Sequence, residues 1–238
     1  MIFECNDVMS RSFVLSLLQR SYGAAATSQI VAGFGVNRKS SFRRNTLKIS
    51  QTDLKAQIKL LGFVVTPVSG MPDVFQFDRE HEYAFKGSRI FREGLIYLQS
   101  LSSMVSAMVL APTPGSRVLD ICAAPGSKTT QMAAIMNNEG SITALEKSPV
   151  RADILRHNLV LQGVTNTTLV RQEASSYLAE LLPEIFDYIL LDSPCSGMGR
   201  LSKDREEPWQ YINPSNLQRR SDLQKQLLTQ ALPLLASG

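Results

Sequence analysis

Residues Arg117–Gln131 read RVLDICAAPGSKTTQ, and the fold is decided there. Apolar Val118, Leu119 and Ile121 make a short buried strand, the Ala123-Ala-Pro-Gly126 stretch bends the chain, and Ser127, Thr129 and Thr130 open a helix. A strand, a tight turn and a helix N-terminus in that order converge backbone N–H groups on an anion or carboxylate. The small side chains of Ala123, Ala124 and Gly126 let a ligand come close. Cys122, Ala123, Ala124, Pro125, Gly126, Ser127 and Lys128 are therefore expected to form a cofactor-binding loop. Glu146 ends the next apolar strand, Ser141–Leu145, where an acid binds a ribose diol in nucleotide sites on parallel sheets. One glycine does not make Gly-x-Gly-x-x-Gly, and Gly-Ser-Lys is not the Gly-Lys-Ser/Thr of a phosphate loop, so neither NAD nor ATP is the natural ligand.

Outward from this stretch, strands and helices alternate. After the Ser127–Met136 helix and the Asn137–Gly140 turn comes strand Ser141–Leu145. Ser148 then caps a helix with Pro149 first, running to Gln162 with Gly163 beyond. Strand Thr167–Arg171, helix Ser175–Leu182, strand Tyr188–Asp192 and a long amphipathic helix from Pro214, capped by Asn213, to about Leu235 follow. This alternation predicts a doubly wound parallel α/β sheet with ligands beyond the carboxyl ends of its strands, where Glu173 and Asp192 also fall. Upstream, a helix over 8–22 stopped by Gly23 leads into a loop through Ser41. A strand over Arg43–Ile49, a helix capped by Thr52, and strands Phe63–Val68 and Val74–Phe77 then give a small α+β unit.

The 238 residues, 44% of them hydrophobic, suffice for one large domain or a large and a small one. A net charge of +4 permits a nucleic-acid partner without demanding one. Arg38, Lys39, Arg43, Arg44 and Lys48 lie together without an acid and read equally as a phosphate-facing patch or a solvated surface. Cys5, Cys122 and Cys195 have neither metal spacing nor a paired framework, so no metal is expected and a reducing, cytoplasmic setting is. The acidic start, MIFECND, is unlike a signal peptide, and the apolar run Gly94–Ala111 is too rich in serine to span a bilayer.

VLDICAAPGSKTTQ together with FDYILLDSPCSG resembles the S-adenosylmethionine-dependent RNA cytosine-5 methyltransferases of the Nol1/Nop2/Sun family. SFRRNTLKIS resembles the family's Arg-Val-Asn-Thr-Leu signature, with Arg44 at a usually apolar place. YLQSLSSM, Tyr97–Met104, resembles its Tyr-x-Gln-Asp/Glu-x-Ser-Ser-Met segment, with Ser100 at the place of the acid. The resemblance, which runs from about Arg43 to Leu235, implies a Rossmann-like class I methyltransferase domain over 91–238 and an RNA-holding, RRM-like subdomain over 42–90, preceded by the N-terminal helical segment over 1–41 that the helical spacing gives. It also implies S-adenosylmethionine as cofactor and RNA as partner, ribosomal RNA ahead of tRNA. Oligomeric state is not implied.

The resemblance also assigns roles. Carbon 5 of a pyrimidine becomes nucleophilic only after a thiolate adds at carbon 6, and in the family one cysteine of a Thr-Cys pair attacks while the Pro-Cys cysteine helps release. Pro194-Cys195 matches the second pair. The chain ends at Ala236-Ser-Gly238 before a Thr-Cys phrase, which leads to the expectation of a C-terminally truncated sequence with an exposed sheet edge. A catalytically inactive RNA-binding or assembly protein of the same fold remains the alternative, as does attack by Cys195 itself. Asp192 is expected at the cytosine edge or the cofactor, Glu173 near the adenine, Lys128 at a carboxylate or phosphate, and Arg151 beside Glu146. Cys122 reads as packing. Arg200, Lys203 and Arg205 with Trp209 and Tyr211 suit an extruded base, offset by Asp204, Glu206 and Glu207, while His81 and His157 carry no motif.

Overall fold

The computed structural model describes residues 3–36, 38–201 and 212–237, with the side chains of 3–10 and of Arg200 outside that description. The expectations for Lys203, Asp204, Arg205, Glu206, Glu207, Trp209 and Tyr211 lie outside the described residues. Two compact units emerge. One is Met1–Asn37 with Pro194–Gln226; the other is Arg38–Ser193 with Leu227–Gly238.

The larger unit carries two sheets. An antiparallel one orders β2 (Thr66–Val68), β3 (Met71–Phe77), β1 (Ser40–Arg44) and β4 (Ile96–Leu98). Helix α2 (Gln51–Leu60) and the short helices α3 (Glu82–Gly87) and α4 (Arg89–Arg92) bring Leu54, Ile58, Phe85 and Ile90 onto Phe42, Phe75 and Phe77. The rings of Phe42 and Phe75 stack at 5.3 Å. Several boundaries differ from the sequence reading, the following three among them. The first strand ends at Arg44 rather than Ile49, because Lys48 and Ile49 donate backwards to the Asn45 carbonyl in a turn. The cap of α2 is Ser50, whose hydroxyl accepts from the Asp53 N–H, and not Thr52. The fourth strand, β4, lies in the segment read as the entrance to the next domain.

The second sheet is parallel, in the order β7 (Thr167–Val170), β6 (Ser141–Leu145), β5 (Arg117–Ile121), β8 (Tyr188–Leu191). Helices α5 (Leu101–Leu110) and α6 (Ser127–Ile135) pack Ala107, Met132 and Ala133 against Val118, Ile142 and Leu190. Helix α7 (Pro149–Gln162) packs Leu155 and Leu159 against Ala123, Ala124 and Ala144. Val118, Ile142, Ala144 and Leu190 fall on one side in the paired register, so α5, α6 and α7 cover the same face of this Rossmann-like parallel sheet. Helix α8 (Ala174–Ala179) precedes β8, and beside the start of β8 the backbone of Phe186 pairs with that of Leu234 and Ala236.

In the smaller unit α1 (Phe3–Gly33) does not stop at Gly23, where a loop was expected. Gly23 takes φ 78° and ψ 170° and kinks the helix, which resumes in Ala24–Gly33. The Thr27 hydroxyl donates to the Gly23 carbonyl at 2.7 Å, adding a side-chain bond at the start of the resumed helix. Val14 and Leu18 pack with Leu201 and Ile212. Helix α9 (Pro214–Ala231) is capped by Asn213, whose side-chain oxygen accepts from the Asn216 N–H. The helix ends four residues before Leu235, in a 3-10 turn at Leu232–Leu234 that contains Pro233.

Candidate active site

The carboxyl ends of β5 and β6 hold the loop Cys122–Lys128. The Ala123 N–H donates to the Leu145 carbonyl at 2.8 Å, tying the loop to β6, and the Gly126 N–H closes a turn onto the Ala123 carbonyl at 2.8 Å. Gly126 caps α6 at φ 101°, and a Cβ there would lie 2.7 Å from Cδ1 of Leu155. Both the backbone angle and the packing of α7 therefore demand glycine at this corner.

Loop carbonyls are held from outside by side chains. Arg151 Nη2 donates to the Ala124 carbonyl at 2.6 Å, and Asn158 Nδ2 donates to the Pro125 carbonyl at 2.7 Å. Seven residues apart, the two lie on one face of α7. Arg151 also pairs with Glu146, Nη1 to Oε2 at 3.2 Å, while Glu146 Oε1 accepts from the Ser148 N–H at 2.9 Å. Glu146 is buried yet both oxygens have partners, so its carboxylate is fixed in orientation at the end of β6. Arg151 is thereby the link between the acid and the loop.

Lys128 and Asp192 meet. The Nζ–Oδ2 distance is 2.6 Å, and Nζ also donates to the Ser103 hydroxyl at 3.0 Å. The lysine is shielded and the carboxylate exposed. This pair spans the ends of β5 and β8, so the lysine is not a free cation awaiting an anion. Ser100, at the place of the expected acid, caps α5 by accepting from the Ser103 N–H at 3.3 Å. Glu173 caps α8: its Oε2 accepts from the Ser175 hydroxyl at 2.7 Å and the Ser176 N–H at 3.1 Å, and these bonds hold its carboxyl below the usual range. Cys122 is half-buried, at φ 67°; burial, with Glu146 and Asp120 adding to it, pushes its thiol up to about 11, so it is a neutral thiol. Cys195 is exposed, ahead of the 3-10 turn Met198–Arg200, in the smaller unit.

The basic cluster is the main correction. Arg43 is buried: its Nε donates to Gln99 Oε1 at 3.0 Å, its Nη2 to the Thr130 hydroxyl at 2.6 Å, and its guanidinium carbon lies 4.9 Å from the Tyr97 ring centre. Burial lowers it to about 10, so it remains charged at neutral pH. Arg44 pairs with Asp73 at 2.7 Å, Lys48 donates to the carbonyls of Glu93 and Leu161 at 3.0 and 2.7 Å, and Lys39 approaches Asp78 at 3.9 Å. A surface patch reading fails for Arg43, whose head is buried, and is weakened for Arg44 and Lys48, whose heads are engaged by Asp73 and by backbone carbonyls.

Two residues were missed. Asp120 is fully buried and accepts from the Thr129 hydroxyl at 2.6 Å; burial pushes it up to about 7. The signal was an acid inside the apolar run VLDI. Asn45 of RRNTL donates to the carbonyls of Gly94 and Gln162, both at 2.8 Å, joining β1 to the end of α7. No helix among the described residues is long and apolar enough to cross a membrane, and no group of three or more potential ligands among them could hold a metal.

The family model of the 16S rRNA methyltransferase RsmB/F matches residues 107–238. A ribosomal RNA small subunit methyltransferase F of Serratia proteamaculans is 40% identical over 203 residues, 84% of this chain and 42% of that protein. The enzyme of the same name from Salmonella arizonae is 42% identical over 204 residues, with the same coverage of 84% and 42%. Among solved structures, a methyltransferase homologue from Pyrococcus horikoshii superposes with a TM-score of 0.78 at 33% identity, covering 91% of this chain and 67% of that one. The chain thus spans less than half the length of these curated relatives.

Proposed function

The chain belongs to the RsmB/F family of 16S rRNA methyltransferases, and on that premise we propose that it takes part in transfer of a methyl group from S-adenosylmethionine to carbon 5 of a cytosine in ribosomal RNA, in the cytoplasm. The observation that carries the reading is the Arg151 bridge, which joins Glu146 to the Ala124 carbonyl and so aligns a carboxylate with the loop at one strand-end corner. The donor set fits the cofactor. In this reading Glu146 would offer carboxylate oxygens to the ribose diol, the N-terminal N–H groups of α6 would meet the cofactor's carboxylate, and Glu173, the cap of α8, would stand toward the adenine. Bound S-adenosylmethionine supplies an electrophilic methyl on a sulfonium, whose sulfur–methyl bond breaks as the carbon–methyl bond forms.

The remaining chemistry belongs to the protein. A cysteine thiolate adds to carbon 6, the C5 proton is lost after methylation, and its electron pair expels the thiolate. Cys195, of the Pro-Cys pair, serves this release. Asp192, held by Lys128 at 2.6 Å with its carboxylate still exposed, accepts a hydrogen bond from the cytosine amino group. Calorimetry with S-adenosylmethionine tests the cofactor site: the chain should bind it, and Glu146→Ala should weaken binding more than tenfold. Failure of the unsubstituted chain to bind would refute the reading. For the reaction, small-subunit RNA incubated with labelled cofactor tests whether these residues carry an attacking cysteine: with Cys195 serving release and Cys122 a neutral thiol, no 5-methylcytosine is expected from them alone. A protein–RNA adduct that disappears in Cys195→Ser would make Cys195 the attacking residue instead.

A further inference from the structure

The antiparallel sheet reaches the cofactor loop through one buried side chain. Arg43, on β1, points away from the phenylalanine cluster and toward the first turn of α6. There its Nη2 donates to the Thr130 hydroxyl at 2.6 Å and to the Ser127 carbonyl at 3.3 Å. The Thr130 hydroxyl in turn donates to the Gly126 carbonyl at 2.6 Å. A guanidinium, a hydroxyl and a loop carbonyl thus form a relay in which each donor has its acceptor and none is exposed. The charge polarises the hydroxyl and strengthens its bond to the loop. Gln99 Oε1 takes Nε at 3.0 Å and the Tyr97 ring takes the guanidinium face at 4.9 Å, so the head has little freedom of its own. Arg44, next in the chain, faces the other way to Asp73 and the Ile49 carbonyl.

We infer that Arg43 is a positioning residue for the cofactor loop, orienting the Gly126 and Ser127 carbonyls so that the N–H groups of the same turn stand ready for the ligand. The inference rests on the reading of Cys122–Lys128 as the S-adenosylmethionine loop. It makes the small sheet part of the cofactor site rather than only a holder of RNA. The charge on Arg43 matters less for attracting an anion than for fixing a hydroxyl.

Five proteins separate this role from stability alone: the unsubstituted chain, Arg43→Met, Thr130→Val, the double variant of these two, and Arg44→Met as a neighbour on the same strand that loses a charge without touching the loop. Hydrogen exchange by mass spectrometry on the peptide containing 122–130 reads the loop without any ligand. Exchange there should quicken roughly tenfold in Arg43→Met and Thr130→Val and stay unchanged in Arg44→Met, with the double variant Arg43→Met/Thr130→Val no worse than the worse single one, as expected for one shared relay. Calorimetry should show S-adenosylmethionine binding weakened by a similar factor in the same two variants, at temperatures well below every melting point. Equal exchange in Arg43→Met and the unsubstituted chain, or equal quickening in Arg44→Met, would overturn the inference. Absence of binding by the unsubstituted chain alongside the expected exchange pattern would instead fault the cofactor reading and leave the positioning role standing for whatever ligand the loop holds.

Discussion

Asp120→Asn should change how stability depends on pH, and the direction follows from burial. Asp120 sits at the end of β5 with no exposure, accepting one bond from Thr129, and its carboxyl is pushed from an ordinary value near 3.8 up to about 7. The folded state therefore holds a proton that the unfolded chain releases at lower pH. Its contribution is fully present below the unfolded value near 3.8 and is lost as pH rises through about 7. A shift of this size corresponds to about 4 kcal/mol between the two limits, since one unit is worth about 1.4 kcal/mol. Roughly half of the loss, about 2 kcal/mol, should fall between pH 5 and pH 7, after which the curve flattens. Asparagine keeps the shape and the acceptor oxygen but has no proton to lose. Urea unfolding followed by circular dichroism at intervals from pH 5 to pH 8 gives both stabilities, and the difference between variant and unsubstituted chain cancels every other titration. That difference should move in favour of Asp120→Asn as pH rises. Parallel curves across the range would refute the argument and mean that Asp120 is ionised in the folded protein throughout.

Gly126→Ala should cost about 2–4 kcal/mol, from a positive φ of 101° and a Cβ 2.7 Å from Leu155, and the same variant should lose S-adenosylmethionine binding by calorimetry. Asn45→Ala leaves the carbonyls of Gly94 and Gln162 without their donor, and the urea midpoint should fall by an amount equal to about 2–4 kcal/mol. Phe85→Ala empties a site packed against Phe42, Phe63 and Phe77, at an expected cost of about 3–5 kcal/mol in the same assay.

The parallel half of the chain was legible because its signals are local. Ser148 and Pro149 start α7 and Gly163 ends it at φ 72°, while β5 and β6 occupy the residues that their apolar runs mark. The loop, Glu146 and Arg151 were legible for the same reason, being fixed by spacing along adjoining strands and one helix. What failed was anything set by direction rather than type. Arg43 and Arg44 are neighbours in a basic run, but consecutive strand residues face opposite sides, and here each finds a partner within the fold, Gln99 for one and Asp73 for the other. Gly23 reads as a stop, yet the alanines after it favour helix and the Thr27 hydroxyl bonds back to its carbonyl. Asp120 was passed over because its neighbours define a strand whose core has no place for an acid unless a hydroxyl such as that of Thr129 is aimed at it. Glu173 shows the converse. Its place by the sheet was readable, but its work as the cap of α8 depends on Ser175 and Ser176 following in the first turn.

The contact at Gly94 has a mechanical consequence. A Cβ there would lie 2.1 Å from the carbonyl oxygen of Leu161, so the chain entering β4 and the last turn of α7 meet as bare main chain. Asn45 bonds both sides of that meeting, and Lys48 adds the Leu161 carbonyl. Peptide groups have no rotamers with which to absorb a displacement, so this seam behaves as a weld rather than a hinge. The antiparallel sheet and α7 open together or not at all, and slow amide exchange at β1 and at the end of α7 should share one rate and one denaturant dependence.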